Sequence, residues 1–262
     1  MTVRLSHVGV IIPAHNEERE IVRCVRAATA AVNACRAERP DINFSIWCVA
    51  DSCTDGTVAT VRHLMGDNPD VHLVQASYRS PGPTRDLGIH RFIDYCARTG
   101  STCDASTTWI AMTDADTVVP VHWLIDQVAA AESGVHAVVG TVQPRVEEIG
   151  ELGYRLWRER HDFREGHSHV FGANLGVLLG AYQAVGGFLP LEHSEDVTLV
   201  DTLEKAGFTL LKTDRVRAVT SARTEGRVKH GFSTYISDLL RENGLAGDSL
   251  PQAGITTTNP SG

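Results

Sequence analysis

The sequence lacks the features that mark several specialised classes of protein. No apolar stretch of about 18 residues is free of charge, and no basic segment near the start leads into an apolar run with a small-residue cleavage site. We therefore expect neither a membrane span nor a secretory signal. None of the 6 cysteines belongs to a Cys-x-x-Cys pair, which favours reduced thiols in a cytoplasmic protein. Peripheral attachment to the inner face of a membrane stays open.

Basic charge is also scarce. The 24 lysines and arginines are outnumbered by 32 aspartates and glutamates, which gives a formal net charge of -8. General binding to nucleic acid needs a basic face that neutralises phosphates, so we expect no nucleic-acid partner. With 262 residues, 42% of them hydrophobic, the chain can bury one substantial core as an ordinary globular protein.

Short apolar segments alternate with segments of helical period. Strand-like segments fall at residues 8–12, 44–50, 71–74, 109–112 and 137–142. This rhythm predicts an α/β fold with a mostly parallel central sheet flanked by helices. We expect helices after Asn16, which can cap the first of them, from near Asp55, after the Pro81-Gly82-Pro83 turn, and over residues 195–206.

Two carboxylates, in Asp114-Ala115-Asp116, follow the fourth strand-like segment. Ligands of open α/β sheets bind beyond the carboxyl ends of the strands, and carboxylate oxygens suit hard divalent cations that also bind phosphate. The triplet therefore indicates a site for a metal-bound diphosphate. Taken alone, it also fits a polar turn in which Asp116 caps the helix after Pro120.

Further motifs stand before and after this triplet. Residues 11–17 read Ile-Ile-Pro-Ala-His-Asn-Glu, and residues 49–57 read Val-Ala-Asp-Ser-Cys-Thr-Asp-Gly-Thr. Beyond the triplet lie Gly-Ala-Asn at 172–174, Gly-Gly-Phe at 186–188 and Ser-Glu-Asp-Val-Thr-Leu at 194–199. In this order, the motifs resemble those of the family 2 glycosyltransferases of GT-A fold, which move a sugar from a nucleotide-sugar donor to an acceptor. The similarity runs from about Val8 to Arg227.

The resemblance implies a domain organisation and shows some departures. We expect one GT-A domain over residues 1–243, with a nucleotide-binding part at 1–141 and an acceptor-binding part at 142–243. The tail at 244–262 has little apolar material and is expected to be disordered. Ala50 replaces the first Asp of the family's second motif, and Asp86 stands where the family often has Asn. The Gln-x-x-Arg-Trp motif of processive members is absent, which argues for transfer of a single sugar.

The resemblance also implies roles for individual residues. Asp196 would be the general base of an inverting transfer. The donor nucleotide would be bound by Pro13, Ala14, Asn16, Glu17, Asp51, Arg85 and Asp114. Asp116, with His230 as a candidate third ligand, would hold Mn²⁺ or Mg²⁺. The diphosphate would meet Arg223 and Arg227, and the donor sugar or acceptor would meet Trp157, Asn174 and Glu195.

The implied partners are a nucleotide-sugar donor and a small or lipid-linked acceptor, and several alternatives stay open. The chain resembles a sugar-1-phosphate nucleotidyltransferase superficially at residues 82–85, although such a loop should follow the first strand. A non-catalytic nucleotide-sugar-binding protein, a phosphatase and a retaining transferase are the other candidates. Two of the predicted site segments also have a purely structural alternative. Residues 194–196 would cap a helix. Trp157 would lie on an amphipathic helix packed on the sheet.

Overall fold

The computed structural model describes residues 3–101, 103–161, 163–189 and 194–222, together with Asp238 and Arg241. The predictions for Arg223, Arg227, His230 and the tail at 244–262 lie outside the described residues. None of the described helices combines the length and the apolar character that crossing a bilayer requires.

Eight strands and seven helices make up the described chain. The strands are β1 (His7–Ala14), β2 (Asn43–Asp51), β3 (Val71–Ala76), β4 (Thr108–Met112), β5 (Thr117–Val118), β6 (Ala137–Pro144), β7 (Leu175–Leu178) and β8 (Leu210–Thr220). The helices are α1 (Ile21–Glu38), α2 (Thr57–Asp67), α3 (Pro81–Arg98), α4 (Trp123–Glu132), α5 (Val146–Arg160), α6 (Leu179–Ala184) and α7 (Glu195–Lys205), and a 3₁₀ turn spans Gly172–Asn174.

The strands form one sheet in the order β3-β2-β1-β4-β7-β6-β8-β5. The first four strands pair in parallel, whereas β7 runs antiparallel to both β4 and β6. The α/β class, the central parallel strands and all five predicted strands are therefore confirmed. The reversal at β7 pairs Leu175 with Met112, so the turn before β7 lies at the edge where β4 ends.

Apolar side chains on the two faces of the sheet form two separate clusters. On β1, Val8, Val10 and Ile12 join the cluster that includes α1 and α4, while Ile11 joins the one that includes α3 and α7. Both faces of β1 are thus covered, as a continuous apolar run predicts for a strand in a parallel sheet. Gly9 supports this packing because a Cβ there would lie 2.6 Å from the Phe92 ring.

The described chain divides into two compact units. The larger comprises residues 1–143 and 162–220, and the smaller comprises 144–161 and 221–262. Within the smaller unit, α5 is interrupted at Gly150, whose φ of 69° lies in the left-handed region. Glu148 accepts hydrogen bonds from the Arg145 guanidinium, the Ser221 hydroxyl and the Ala222 N–H, so it fixes the chain after β8 to the first turn of α5.

The Trp157 ring on α5 is buried, whereas we predicted that it contacts the donor sugar or the acceptor. Its exposed fraction is 0%, and its ring stacks on His161 with centroids 4.2 Å apart. The alternative interpretation of α5 as an amphipathic helix explains this burial, because the indole lies on the buried face of the helix. Contact with a sugar or an acceptor would need this ring to leave its place.

The first helix begins later than the sequence indicates. Asn16 was expected to cap it, but α1 starts at Ile21. Asn16 has a φ of 56°, and its side-chain oxygen accepts the N–H groups of Thr54 and Asp55. Asn16 therefore joins the loop after β1 to the loop after β2 instead of capping a helix.

Two cysteines also differ from the expectation of reduced thiols. The structure joins Cys96, in the last turn of α3, to Cys103 in the following connection as a disulfide. The sulfurs of Cys24, Cys35, Cys48 and Cys53 are free. The spacing of the cysteines in the sequence does not indicate this disulfide, because Cys96 and Cys103 are brought together only by the turn that ends α3.

Candidate active site

The polar residues singled out from the sequence gather at one edge of the larger unit. Asp51 ends β2, the Asp114-Ala115-Asp116 triplet follows β4, and Glu195 begins α7. The 3₁₀ turn at Gly172–Asn174 reaches the same edge because β7 is antiparallel to β4. This is the edge at which open α/β sheets bind ligands.

The loop after β1 is held mainly by backbone and short side chains. Pro13 and Ala14 pair with Val49 and Ala50 in the parallel register. His15 Nδ1 contacts the backbone oxygen of Asp51 at 2.6 Å. These contacts fix the start of the loop against the end of β2.

Glu17 lies in the same loop and is 8% exposed. Its backbone N–H donates to the Thr57 hydroxyl at 2.7 Å. The donor contacts predicted for Pro13, Ala14 and Glu17 stay predictions, and the structure places all three at the expected edge.

Asp51 is a buried carboxylate that accepts several hydrogen bonds. Its two oxygens accept from the Ser52 hydroxyl at 3.0 Å, the Ser80 N–H at 3.2 Å and the Thr84 hydroxyl at 2.8 Å. Burial by itself would raise the pKa of Asp51, but hydrogen bonds led by the Arg79 N–H and the Thr84 hydroxyl lower it below its ordinary value. Asp51 thus holds the connection between β3 and α3 in place.

Arg85 is a buried cation between two carboxylates. Its Nη1 donates to Glu195 at 2.5 Å, and its Nη2 donates to Asp114 at 2.6 Å. Burial alone would lower the pKa of Arg85, but the negative charges of Asp114, Glu195 and Asp196 raise it above its ordinary value. Because the side chain is only 4% exposed, Arg85 links the triplet to α7 here, whereas the sequence predicted a contact with phosphate.

Asp116 is half-buried beside two hydroxyl groups. Its carboxylate accepts from Thr220 at 3.2 Å and from Thr117 at 3.4 Å. The alternative in which Asp116 caps the following helix is wrong, because α4 begins at Trp123 with no side-chain cap. The carboxylates of Asp114 and Asp116 are oxygen donors of the kind that Mg²⁺ and Mn²⁺ bind, and the side chain of Asp114 is 38% exposed.

Asp196 stands at the start of α7, with both oxygens in contact with backbone. One accepts the Gly172 N–H at 2.6 Å, and the other accepts its neighbour Val197 N–H at 2.8 Å. These bonds orient the carboxylate between the 3₁₀ turn and the helix. Each oxygen has a further lone pair, so the group can also accept a proton from an incoming hydroxyl.

Asn174 is buried, whereas we predicted that it contacts the donor sugar or the acceptor. It is 1% exposed, and its amide donates to the backbone oxygens of Thr141 and Val216 at 2.8 and 2.7 Å. Its oxygen accepts the Trp123 indole N–H at 2.8 Å. These three bonds hold β6, β8 and α4 together and leave the amide directed into the protein.

Sequence reasoning missed several residues that shape this edge. Thr84 and Ser80 bind the Asp51 carboxylate, and Gly172 donates its N–H to Asp196. Thr220 contacts Asp116 across 104 residues of sequence, and nothing in the local pattern indicates such a contact. Gly172 carried a detectable signal, since it opens the Gly-Ala-Asn motif. A Cβ there would meet the Arg85 guanidinium at 2.7 Å.

The fold is that of the GT-A glycosyltransferases. The chain belongs to glycosyl transferase family 2, whose family model matches residues 9–184. Among curated proteins, none matches the sequence.

Solved structures of low sequence identity share the fold. S. aureus TarS in complex with UDP-GlcNAc has a TM-score of 0.58 and 13% identity, over 90% of this chain and 65% of that chain. The mannosyltransferase PcManGT from Pyrobaculum calidifontis, in complex with GDP-Man and Mn²⁺, has a TM-score of 0.59 and 18% identity, over 94% and 66%. The present chain thus spans less than two thirds of either protein.

A third structure is covered more fully. Glucosyl-3-phosphoglycerate synthase from Mycobacterium tuberculosis, in complex with Mn²⁺, UDP and phosphoglyceric acid, has a TM-score of 0.54 and 14% identity, over 95% of this chain and 81% of that chain. At these identities the likeness concerns the fold alone.

Proposed function

We propose that the chain transfers one sugar from a nucleoside-diphosphate sugar to an acceptor hydroxyl, with a divalent cation and with inversion at the anomeric carbon. The observation that carries the proposal is the position of Asp114, Asp116 and Asp196 at one edge of one compact unit. Arg85 joins Asp114 to Glu195, the chain neighbour of Asp196. The family match and the GT-A fold support the same chemistry. The acceptor would be a small or lipid-linked molecule.

The cation would be held by Asp116, with Asp114 beside it. When bound, a divalent cation neutralises the charge that develops on the leaving diphosphate. Among the residues described by the structure, this edge brings no third His, Cys, Asp or Glu into a common ligand set. Further ligands would be donor phosphates, water and the predicted His230. Mn²⁺ accompanies the nucleotides in the PcManGT and glucosyl-3-phosphoglycerate synthase structures, which makes it the first ion to test.

Asp196 would accept the proton of the acceptor hydroxyl. Its carboxylate is oriented by the N–H groups of Gly172 and Val197, so little reorganisation would precede the transfer. Attack by that hydroxyl in line with the departing diphosphate inverts the anomeric carbon. The absence of Gln-x-x-Arg-Trp supports a single transfer.

Arg85 would act as a positioning residue. Its guanidinium fixes Asp114 relative to Glu195, the neighbour of the proposed base. The donor side and the acceptor side of the reaction would therefore be held at a constant separation, and such fixed placement of reacting groups lowers a barrier by reducing the entropy to be lost.

The test compares three conservative variants, Asp116→Asn, Asp196→Asn and Asp201→Asn. Turnover is followed with water as the acceptor, as release of UDP or GDP together with the free sugar from UDP-GlcNAc, UDP-glucose and GDP-mannose, with and without Mn²⁺. We expect Asp196→Asn to lower kcat by about 10²- to 10⁴-fold with donor affinity retained. Asp116→Asn should remove the dependence on Mn²⁺. Asp201 lies exposed on the same helix as Asp196, so its variant should keep the wild-type rate.

Two results would contradict the proposal. Full activity of Asp196→Asn would remove that residue from the reaction, and an unaltered Mn²⁺ response in Asp116→Asn would place the ion elsewhere. The anomeric configuration of the product separates inversion from retention. It is read by nuclear magnetic resonance from the one-bond carbon–proton coupling at that carbon, before a free sugar product mutarotates.

A further inference from the structure

A cluster of one histidine and two cysteines, which are residue types that can ligate a metal ion, lies at the amino end of β1. His7 begins β1, Cys96 lies in the last turn of α3, and Cys103 lies in the connection from α3 to β4. A ring nitrogen of His7 and the two sulfurs all lie within 4.8 Å of one another. Asp51 is the last residue of β2 and Asp114 follows β4, whereas His7 is the first residue of the parallel strand β1. The cluster is therefore separate from the proposed active site.

The donor set has a definite chemical preference. Two thiolates and one imidazole suit a borderline-soft divalent cation such as Zn²⁺, which binds sulfur at about 2.3 Å and nitrogen at about 2.0 Å in a tetrahedral shell. Ligand atoms of such a shell lie roughly 3.5 to 4 Å apart, as these bond lengths require. The ligand atoms of the three residues, which all lie within 4.8 Å of one another, are therefore close to the separations found in a zinc shell.

The imidazole of His7 is oriented by a neighbouring hydroxyl. Its Nδ1 contacts Ser6 Oγ at 3.0 Å, and Ser6 Oγ in turn contacts the oxygens of Thr107 at 2.9 and 3.3 Å. If Ser6 gives its proton to Thr107, it accepts the proton of His7 Nδ1. The other ring nitrogen, Nε2, then carries a lone pair, as is common in metal-binding histidines. That lone pair faces the Asn43 amide nitrogen at 3.5 Å, so a metal would displace this long contact.

A groove gives access to this cluster. It has a volume of about 420 Å³, and His7, Cys96, Asn43 and Tyr95 are among the residues that line it. An ion can therefore reach His7 and Cys96 from solvent. With three protein ligands, the fourth position of a tetrahedral shell is left for water or for a small ligand in the groove.

We propose that the reduced chain binds one Zn²⁺ through His7, Cys96 and Cys103, at a site distinct from the active site. The disulfide form cannot bind the ion, since both sulfurs are joined to each other. A phosphine reductant opens it: the phosphorus takes the oxygen of one water and becomes a phosphine oxide, and the two hydrogens of that water give two thiols. Binding then releases two protons as both thiols become thiolates.

The experiment uses Co²⁺ as a spectroscopic substitute for Zn²⁺ on the full chain. Cobalt bound to thiolates gives a near-ultraviolet charge-transfer absorption that carboxylate ligands do not give, so an ion at Asp116 is not counted. The protein is reduced with a phosphine, titrated with Co²⁺, and then titrated with Zn²⁺. We expect one cobalt per chain, displaced by zinc, and no band in the oxidised protein.

Variants assign the ligands. Cys103→Ser, at a partly exposed position, should abolish the two-thiolate band. Ser6→Ala leaves all three ligands in place and should weaken Co²⁺ binding about 10-fold, because the imidazole loses the hydroxyl that orients it. Cys53→Ser removes a cysteine outside the cluster and should bind Co²⁺ like the wild type.

Three outcomes would overturn the proposal. These are the absence of the band in the reduced wild type, its persistence in Cys103→Ser, or equal loss of it in Cys53→Ser. Circular dichroism on each variant separates a lost ligand from a lost fold. If Cys103→Ser fails to fold, Ser6→Ala decides: unchanged affinity there would contradict the orientation of His7 on which the site depends.

Discussion

Arg85 carries one positive charge between two negative ones inside the larger unit. Replacement by Met would leave Glu195, whose side chain is 7% exposed, without its cation. We expect Arg85→Met to lower the free energy of unfolding by about 3 to 5 kcal/mol, the usual cost of removing one member of a buried ion pair. Urea denaturation measures this change.

The matched control for Arg85 is Arg91→Met. Arg91 lies on the same helix, but its side chain is 51% exposed and its nearest carboxylate contact is 3.8 Å. Its loss should change the free energy of unfolding by no more than about 0.5 kcal/mol. Equal effects of the two variants would show that the ion pairs of Arg85 add nothing to stability.

Asp51 gives the protein a pH-dependent contribution to stability. Its folded-state pKa lies below its ordinary value, so the unfolded chain binds a proton first as the pH falls. The contribution is complete above about pH 5 and is lost as the pH falls through about 4 toward the lowered folded-state pKa. Asp51→Asn should therefore be less stable than the wild type at pH 7 by about 1 to 2 kcal/mol, and the gap should narrow by pH 3.

Thermal unfolding between pH 3 and pH 7 tests this statement. Asp67→Asn is the control, because the Asp67 side chain is 70% exposed. Its stability should follow that of the wild type across the range. A gap between Asp51→Asn and the wild type that widens toward pH 3 would contradict the assignment.

Some of these residue positions follow from sequence and others do not. The positions of Asp51, Asp114 and Asp116 can be predicted because Asp51 ends one apolar strand and the other two lie just after another. Asn174 and Trp157 were given ligand contacts because they are polar or aromatic and lie in or near Gly-rich or charged segments. Whether such a side chain turns inward depends on partners far along the chain, such as Trp123 and Thr141 for Asn174.

At the scale of elements, β1, β2 and β4 could be predicted because both faces of each are buried and each reads as a nearly continuous apolar run. The strand β8 could not, since Lys212, Asp214, Arg215 and Arg217 interrupt its apolar residues. Its polar side chains form hydrogen bonds within the fold; for example, Asp214 accepts from the Thr141 hydroxyl at 2.5 Å.

The two-residue strand β5 is too short to show a periodic pattern in the sequence. It is a strand only because it pairs with Thr220 and Val219 of β8.

The contact between β6 and the 3₁₀ turn gives a prediction for one strand position. A Cβ on Gly140 would lie 2.3 Å from the side-chain nitrogen of Asn174, and the three hydrogen bonds of Asn174 resist displacement. We expect Gly140→Ala to lower the free energy of unfolding by about 1 to 3 kcal/mol. Chemical denaturation provides the measurement.

Gly66→Ala is the control for this prediction. Gly66 lies in α2, and a Cβ there would meet nothing within 4 Å. Because Ala favours helix more than Gly does, we expect a gain of up to about 1 kcal/mol. A neutral result for Gly140→Ala would mean that Asn174 moves without cost, which would weaken the structural role assigned to it.

At the scale of the whole molecule, ligands of the native state should raise the melting temperature. A donor present at 100 times its Kd adds about 2.7 kcal/mol to the free energy of unfolding. We expect one of the UDP, GDP or dTDP sugars to give this shift with Mn²⁺ and a smaller one without it. In Asp116→Asn, the shift with Mn²⁺ should equal the shift without it.

The outcome also identifies the base of the donor nucleotide, which the sequence leaves open. Inosine diphosphate, added with the same metal, controls for general binding of diphosphates. Identical shifts for all nucleotides would argue against recognition of a base at Asp51.

The strand β1 runs from His7 at one edge of the sheet to Ala14 at the other. Seven residue steps at about 3.3 Å each separate these ends by roughly 23 Å. That separation exceeds the Debye length of about 8 Å in physiological salt, so two cations bound at opposite ends would hardly repel each other. The affinity of either ion should then be the same whether or not the other is present, and a titration of the reduced protein would resolve into two independent isotherms.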